Sequence, residues 1–345
     1  MPDTDRHASR LRAALSSIWD KAGMLVVFAI LFLGCSLFVP NFFSWLNMEG
    51  LALSVSTIGI VACTMLFCLA SGDFDLSVGS VVACSGVVTA VTINALSRHF
   101  EQLAEAGAAV PPAAGMVCVL AGVLAGILAG GFVGFTNGIV IAKFKINALI
   151  TTLATMQIVR GLGYIVSGGR AVGISQESFF ILGTSAFARI PTPVWITIAC
   201  FVVFGLLLSR TTFGRNTLAI GGNEQAARLA GIPVDRLKII IFSLQGIMAG
   251  FAGVVLASRM TSGQPTASLG FELEVISACV LGGVSLTGGI GSMGSVVAGV
   301  LIMGTVQNAM SLSNVETFYQ YVARGAILLG AVLFDRFKQA RAMRV

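Results

Sequence analysis

The segment SGDFDLSVG, residues 71–79, returns later in the chain as SGQPTASLG, residues 262–270. Both copies fit the pattern S-G-x-x-x-x-S-(V or L)-G, and each is followed by a run of small and apolar residues that contains an Ala-Cys pair. If five membrane-spanning helices separate the copies, the second enters the membrane from the opposite side, as in the inverted repeats of many transport proteins. The alternative is that two unrelated turns share a similar composition.

The whole chain has the composition of a polytopic membrane protein. Of its 345 residues, 56% are hydrophobic, 10% are charged and 41 are glycine, and the mean hydropathy is +0.92. Because a helix needs about 20 apolar residues to cross a bilayer, we predict an all-α fold of about ten transmembrane helices in two inverted five-helix repeats. The predicted spans are 22–40, 51–70, 76–96, 114–141, 146–166, 191–209, 236–258, 271–287, 289–313 and 319–335. Whether 76–96 and 271–287 cross completely or re-enter stays open.

The positive charges give the orientation. With the N-terminus in the cytoplasm, 15 of the 21 Lys and Arg residues fall in cytoplasmic tails and loops. The predicted units are an uncleaved cytoplasmic tail at 1–21, a transmembrane domain at 22–335 and a cytoplasmic tail at 336–345. The domain comprises a first repeat at 22–166, a second at 191–335 and a cytoplasmic loop at 210–235. The net charge of +6 follows from this topology and from contact with membrane lipid, and calls for no nucleic acid.

Five glycines in the fourth predicted span recur every four residues, namely Gly122, Gly126, Gly130, Gly134 and Gly138. Since residues four apart lie on one face of a helix, these glycines form a flat ribbon on which a second backbone can lie closely. We interpret the ribbon as a packing surface. The alternative is that it lines a permeation path.

The cytoplasmic loop contains GGNEQAARLAGIP, residues 221–233, which predicts a two-turn helix at 224–230. Asn223 is a good N-cap, Glu224 is paired with Arg228 one turn later, and a glycine and a proline end the helix. A helix this short is not stable alone in water. It therefore needs neighbours, which are either a groove on another protein or the surface of its own membrane domain.

The stretch GRNTLAIGGNEQAARLAGIP, residues 214–233, resembles the Glu-Ala-Ala loop of ATP-binding-cassette (ABC) importer permeases, in which a coupling helix docks on the ATPase subunit. The segments 71–80 and 262–295 resemble the signatures of the binding-protein-dependent monosaccharide permeases, and the similarity runs from about 22 to 336. Within that family, 146–162 and 257–270 look most like permeases for L-arabinose. Glu224, Ala226, Ala227 and Gly231 match the loop motif of that family. With the N-cap Asn223 and the paired Arg228, they are the residues that we expect to couple to the ATPase.

The resemblance implies a membrane subunit that takes a monosaccharide across a bacterial inner membrane. It implies a homodimer of permeases, two copies of a cytoplasmic ABC ATPase and a periplasmic sugar-binding protein. The chain itself is expected to bind no cofactor and to catalyse no reaction, with ATP and magnesium held on the ATPase. The sequence contains no P-loop pattern, and GIGSMG at 289–294 lacks the βαβ context of a dinucleotide site.

A sugar needs several weak hydrogen bonds along its path, and polar groups inside a membrane are costly enough to indicate function. The candidate path residues are Asp73, Asp75, Ser77, Asn147, Thr151, Gln157, Arg160, Gln264, Ser268 and Arg324. Alternatively, the two aspartates only form a turn or cap the next span, and the two arginines reach the external interface.

An ion-coupled secondary sugar transporter is the alternative function, because inverted repeats occur there as well. Such carriers usually place carboxylates in the middle of the membrane, whereas all 15 acidic residues fall in tails, loops or the ends of predicted spans. No metal-like spacing links the seven cysteines to a histidine. We therefore interpret the cysteines as small packing residues.

Overall fold

A computed structural model describes the backbone of residues 23–342 and the side chains of residues 23–333. The predicted tail 1–21 lies outside the described residues, as do the side chains of 336–345. Within the described range the helices are α1 (Gly23–Phe38), α2 (Trp45–Ala70), α3 (Val78–Glu105), α4 (Ala114–Lys143), α5 (Ala148–Ser167), α6 (Ile181–Thr184), α7 (Thr192–Arg210), α8 (Thr212–Gly222), α9 (Glu224–Leu229), α10 (Val234–Arg259), α11 (Phe271–Leu281), α12 (Met293–Leu312) and α13 (Thr317–Ala342).

Short strands join some of the connections between helices. Strand β1 (Val172–Gly173) pairs antiparallel with β4 (Ser262–Gly263), and β2 (Ala186–Phe187) pairs antiparallel with β3 (Ile190–Pro191). Several helices begin where a polar side chain accepts a hydrogen bond from the first turn, as Ser44 does for α2 and Ser292 for α12. Local sequence therefore sets many of the helix boundaries.

Each predicted span contains a helix of the described chain. Seven of these helices are long and apolar enough to cross a membrane, namely α2, α3, α4, α5, α7, α10 and α12. Helix α1 and the apolar part of α13, Thr317–Leu333, are shorter. Helix α11 has only 11 residues, so it rises about 16 Å and covers about half of a hydrocarbon core. The segment 271–287 is thus not a continuous transmembrane helix.

The two copies of the repeated motif lie at opposite ends of α10. The first copy approaches the beginning of this helix, where Asp73 is paired with Lys238. The second copy follows the end of α10, and its first residues form β4. We call these two ends of the molecule the α9 end and the β4 end. This placement is the one that inverted repeats require.

The helices that follow the two copies meet at their first residues. Gly79, at the start of α3, lies so close to the second copy that an added methyl group would overlap the Ser268 carbonyl and the Glu272 carboxylate. The first turn of α3 therefore lies against the first turn of α11. The non-helical segments 71–77 and 264–270 lead to this meeting point from opposite ends of α10.

The glycine ribbon is a packing surface, as predicted. Its five glycines are buried, and they face the backbones or side chains of α3 and α10. At the crossing of α4 and α10, Gly130 and Gly134 lie directly against Gly246. Helix α4 packs mainly on α10, while α2 packs on α7, α10 and α12. Thus α2 of the first predicted repeat packs among helices of the second, and α10 of the second repeat packs among helices of the first.

Helix α2 is central in the bundle, since 83% of its most apolar stretch is buried, against 22% for α5 and α7. The outer helices expose large apolar side chains such as Phe132, Ile158 and Val203. The seven cysteines carry free thiols in apolar surroundings, which agrees with their predicted packing role.

Candidate functional site

Helix α9 forms where the sequence predicts it, and it ends one residue earlier, at Leu229. The Oδ1 atom of Asn223 accepts a hydrogen bond of 2.9 Å from the N–H of Ala226 and caps the helix. At the other end Gly231 adopts φ +81°, and its N–H and that of Ile232 donate to the last turn, at Arg228 and Ala227. This arrangement is a Schellman motif, which favours glycine.

One face of α9 is fixed on its own subunit and the other is exposed. Ala227 is buried in an apolar cluster with Ile220, Val234 and Leu237. On the opposite face Leu229 is 91% exposed. Of the two predicted kinds of neighbour, the structure contains the surface of the protein's own membrane domain, and it leaves Leu229 exposed on the other face.

Charged side chains connect α9 to three other parts of the chain. Arg228 pairs with Glu224 at 2.8 Å, as predicted, and also with Asp235 at 2.6 Å. Asp235 in turn pairs with Lys145, in the connection between α4 and α5. Lys238 lies between two carboxylates, at 3.0 Å from Glu224 and 2.9 Å from Asp73.

This network sets the charge state of Glu224. Partial burial alone would raise the pKa of its carboxyl group, but hydrogen bonds from Arg228 and Lys238 outweigh that effect and hold the pKa below its ordinary value. Glu224 is therefore a carboxylate at neutral pH. Three acidic and three basic side chains balance within the network, which comprises Asp73, Glu224 and Asp235 with Lys145, Arg228 and Lys238.

Two of the candidate path residues belong to a buried polar chain behind this network. The Asp75 carboxylate accepts hydrogen bonds from the Ser77 N–H, at 2.9 Å, and from its hydroxyl, at 2.6 Å. Asn137 of α4 donates to the Ser77 hydroxyl at 3.1 Å and accepts from Thr155 of α5 at 2.7 Å. The chain ties the start of α3 to α4 and α5.

Most of the other candidates make local contacts. Asn147 caps α5 through a 2.9 Å bond from the Leu149 N–H, and the Thr151 hydroxyl donates to the Asn147 carbonyl. Gln264 donates to Ser262. Gln157 is exposed on α5. The structure does not bring these four residues together.

Arg160 contacts the non-helical segment 264–270, and the other candidate arginine, Arg324, contacts the helix that follows it, α11. Arg160 of α5 donates to the carbonyls of Pro265, at 2.9 Å, and Ala267, at 2.7 Å, and more weakly to that of Ser268, at 3.4 Å. A guanidinium thereby satisfies backbone oxygens that no helix satisfies, which a membrane interior requires.

Arg324 of α13 forms a salt bridge with Glu274 of α11. Glu272 precedes Glu274 by two positions, and its carboxylate lies beside Gly79. The sequence interpretation placed both glutamates at the end of a span, because it took the start of the apolar run as the membrane surface. In the folded chain that start lies at the meeting point of α3 and α11.

Several functional candidates escaped prediction from the sequence. Lys238 was counted only as a positive charge of the loop, and Asn137 and Thr155 were hidden in apolar runs. A polar side chain within a predicted span is the signal that could have identified Asn137, Thr155 and Glu274. No comparable signal links Lys238 to Asp73.

The sequence is similar to known transport permeases along most of its length. A family profile described as the branched-chain amino acid transport system / permease component matches residues 47–332. The chain is 63% identical over 322 residues to the L-arabinose transport system permease protein AraH of Escherichia coli (strain K12), covering 93% of this chain and 92% of that protein.

Two further relatives extend this similarity. Identity is 52% over 346 residues to the L-arabinose ABC transporter permease protein AraH of Azospirillum brasilense, covering 100% of this chain and 96% of that protein. It is 38% over 331 residues to the ribose import permease protein RbsC of Bacillus subtilis (strain 168), covering 95% and 97%.

Proposed function

We propose that this chain, which belongs to the family of branched-chain amino acid transport system permease components, is the membrane-spanning subunit of an ABC importer for L-arabinose. It is a multi-pass protein of the bacterial inner membrane and a transport component rather than an enzyme. The similarity to two L-arabinose permeases over nearly the whole chain supports the substrate, since the ribose permease is less similar.

The observation that carries the ATP-driven mechanism is the two-faced geometry of α9. Its inner face is fixed by Ala227 and by ion pairs, while Leu229 projects outward. An apolar side chain at 91% exposure on a fixed helix is suited to enter a pocket on a partner. We therefore assign to this surface the docking of a cytoplasmic ABC ATPase, which binds ATP and magnesium in place of this chain.

The proposed topology follows from the same assignment. The α9 end faces the cytoplasm, both termini are cytoplasmic, and the β4 end receives a periplasmic sugar-binding protein. The predicted repeats, 22–166 and 191–335, run in opposite directions, which the two motif copies at opposite ends of α10 support. Lipid and a second copy of the chain cover the exposed apolar sides of the outer helices.

Of the path residues predicted from the sequence, we retain Asp75, Ser77, Arg160, Ser268 and Arg324, which are grouped around the starts of α3 and α11. Their support is the non-helical backbone of 71–77 and 264–270, because such backbone occurs at membrane depth where it lines a cavity or is buried in protein.

Reconstituted transport tests the proposal. The chain is placed in proteoliposomes with the ATPase on one side and the binding protein on the other, and uptake of labelled L-arabinose is measured. Uptake that requires ATP supports the importer. Uptake without ATP under a proton gradient would instead establish the ion-coupled carrier.

A matched pair of variants tests the α9 surface. Leu229→Asp should abolish co-purification of the ATPase without lowering the thermal stability of the permease, because this side chain contacts almost nothing in its own subunit. Leu229→Met, which retains an apolar side chain, should preserve both. ATPase binding by the Asp variant at the wild-type level would refute the assigned surface.

A further inference from the structure

We infer that the buried ion pair between Asp73 and Lys238 transmits movement of α9 to the start of α3, so that both are positioning residues for coupled transport. The inference rests on the proposed function, because it needs an ATPase that moves α9. It gives Asp73 a different role from the sugar contact that the sequence suggested.

The first step is the position of Lys238 between two separate elements. Its Nζ atom lies 3.0 Å from Glu224 of α9 and 2.9 Å from Asp73 of the segment 71–77. The side chains of Lys238 and Asp73 are only 11% and 12% exposed, whereas that of Glu224 is 41% exposed. The ammonium group thus joins an outer carboxylate, on the surface of the α9 end, to an inner one.

The second step is that the inner pair resists separation. When one partner of a buried ion pair is withdrawn, the other charge is left without water or a counter-charge, and this is strongly unfavourable. Exposed pairs separate at little cost because water replaces the partner. Lys238 and Asp73 are therefore expected to move together, while the more exposed pair of Lys145 and Asp235 can separate.

The third step leads from Asp73 to the meeting point of α3 and α11. Two residues beyond Asp73, the carboxylate of Asp75 holds the N–H and hydroxyl of Ser77, and α3 begins at the next residue. Gly79 then contacts the second copy of the motif at Ser268. Only six positions along the chain separate Asp73 from Gly79, the residue that lies against the start of α11. A displacement of Asp73 is therefore expected to shift this contact.

The same network provides a matched control at its outer end. Lys145 pairs with Asp235 at 2.5 Å, but its side chain is 54% exposed, and no hydrogen bond or ion pair of Lys145 reaches the segment 71–77 within the described part of the chain. Loss of the Lys145–Asp235 pair also removes an ion pair from α10, but it leaves the pair between Lys238 and Asp73 intact.

The experiment compares Asp73→Asn, Lys238→Met, the double variant, Lys238→Arg and Lys145→Met in the reconstituted complex. It measures membrane level, ATPase co-purification, ATP hydrolysis and L-arabinose uptake, and reports ATP hydrolysed per sugar transported. Wild-type uptake that depends on ATP establishes the proposed function separately. Absence of that uptake would refute the proposed function itself rather than the role of the pair.

The double variant distinguishes transmission from stability, because it leaves neither charge unpaired. We expect it to assemble with the ATPase and hydrolyse ATP, while uptake falls about tenfold and the ratio of ATP to sugar rises accordingly. Lys238→Arg should retain most of the uptake, and Lys145→Met should resemble the wild type. If the double variant regains wild-type uptake although a single variant loses it, the pair serves stability alone and the inference is wrong. Unchanged uptake in all variants would overturn it as well.

Discussion

Replacing Gly134 by alanine should separate the two helices that form the main contact between the predicted repeats. The new Cβ atom would overlap the Phe242 carbonyl oxygen and lie 2.9 Å from the Cα atom of Gly246, whereas ordinary contacts begin at 3.4 Å. Both obstacles are backbone atoms of α10 and cannot rotate away. The two backbones must therefore move apart by about 0.5–1 Å, which forfeits a quarter to a half of each contact energy along the crossing.

Gly131→Ala is the matched control, because it lies on the same helix and has the same change in helix propensity. Its methyl group would meet only the Ile247 side chain, at 3.0 Å, and that side chain is 38% exposed and free to shift. The difference between the variants isolates the packing cost, which we expect to be about 1–3 kcal/mol.

Thermal unfolding in detergent measures this difference. Since 1 kcal/mol shifts the melting temperature by about 2–4 °C in chains of 150–250 residues and by less in longer ones, Gly134→Ala should melt a few degrees below Gly131→Ala. Equal melting temperatures would show that the close contact between α4 and α10 does not carry the stability attributed to it.

Three further predictions concern individual polar groups. Asn223→Ala removes the bond to the Ala226 N–H and should destabilise α9 by about 1 kcal/mol; faster amide exchange in α9 than in the capping-competent Asn223→Asp checks it, and equal exchange contradicts it. Glu274→Leu leaves Arg324 without its carboxylate and should lower the free energy of unfolding by up to about 3–5 kcal/mol. The double variant Glu274→Leu, Arg324→Leu should regain most of this loss. A double variant as unstable as the single one would disprove this. The pKa of Glu224 is lowered, so its ion pairs stabilise α9 fully when the pH is above the ordinary pKa of 4.5, and this stabilisation is lost as the pH falls through the lowered pKa. An NMR titration of this carboxyl group should have its midpoint below pH 4.5. A midpoint at or above pH 4.5 would contradict the network.

The sequence could predict features that depend on neighbours within about two helical turns. The cap at Asn223, the left-handed glycine at 231 and the pair between Glu224 and Arg228 all follow from spacings of three to eight residues. The ribbon on α4 is of the same kind, because its period alone shows that one face has no side chains. Hydropathy likewise located the spans, since burial in lipid and burial in protein both select apolar residues.

Contacts between distant segments could not be predicted in this way. Asp73 and Lys238 are 165 positions apart, and either residue could have been an ordinary loop charge. The early end of α11 at Leu281 was also hidden, because an apolar run of adequate length, here 271–287, does not show where a helix inside it ends. The contacts of Glu272 with the start of α3 and of Glu274 with Arg324 likewise became visible only in the folded chain.

The crossing of α4 and α10 has a consequence for the order in which the protein can be assembled. Helix α4 ends at residue 143 and α10 ends at residue 259, so the ribosome must add 116 more residues before the ribbon can find its partner. At 5–20 residues per second this takes on the order of ten seconds. During that time a nascent chain already inserted in the bilayer lacks the partner of Gly130, Gly134 and Gly138, which all face α10, and the insertion machinery has to keep that face from pairing with the wrong helix.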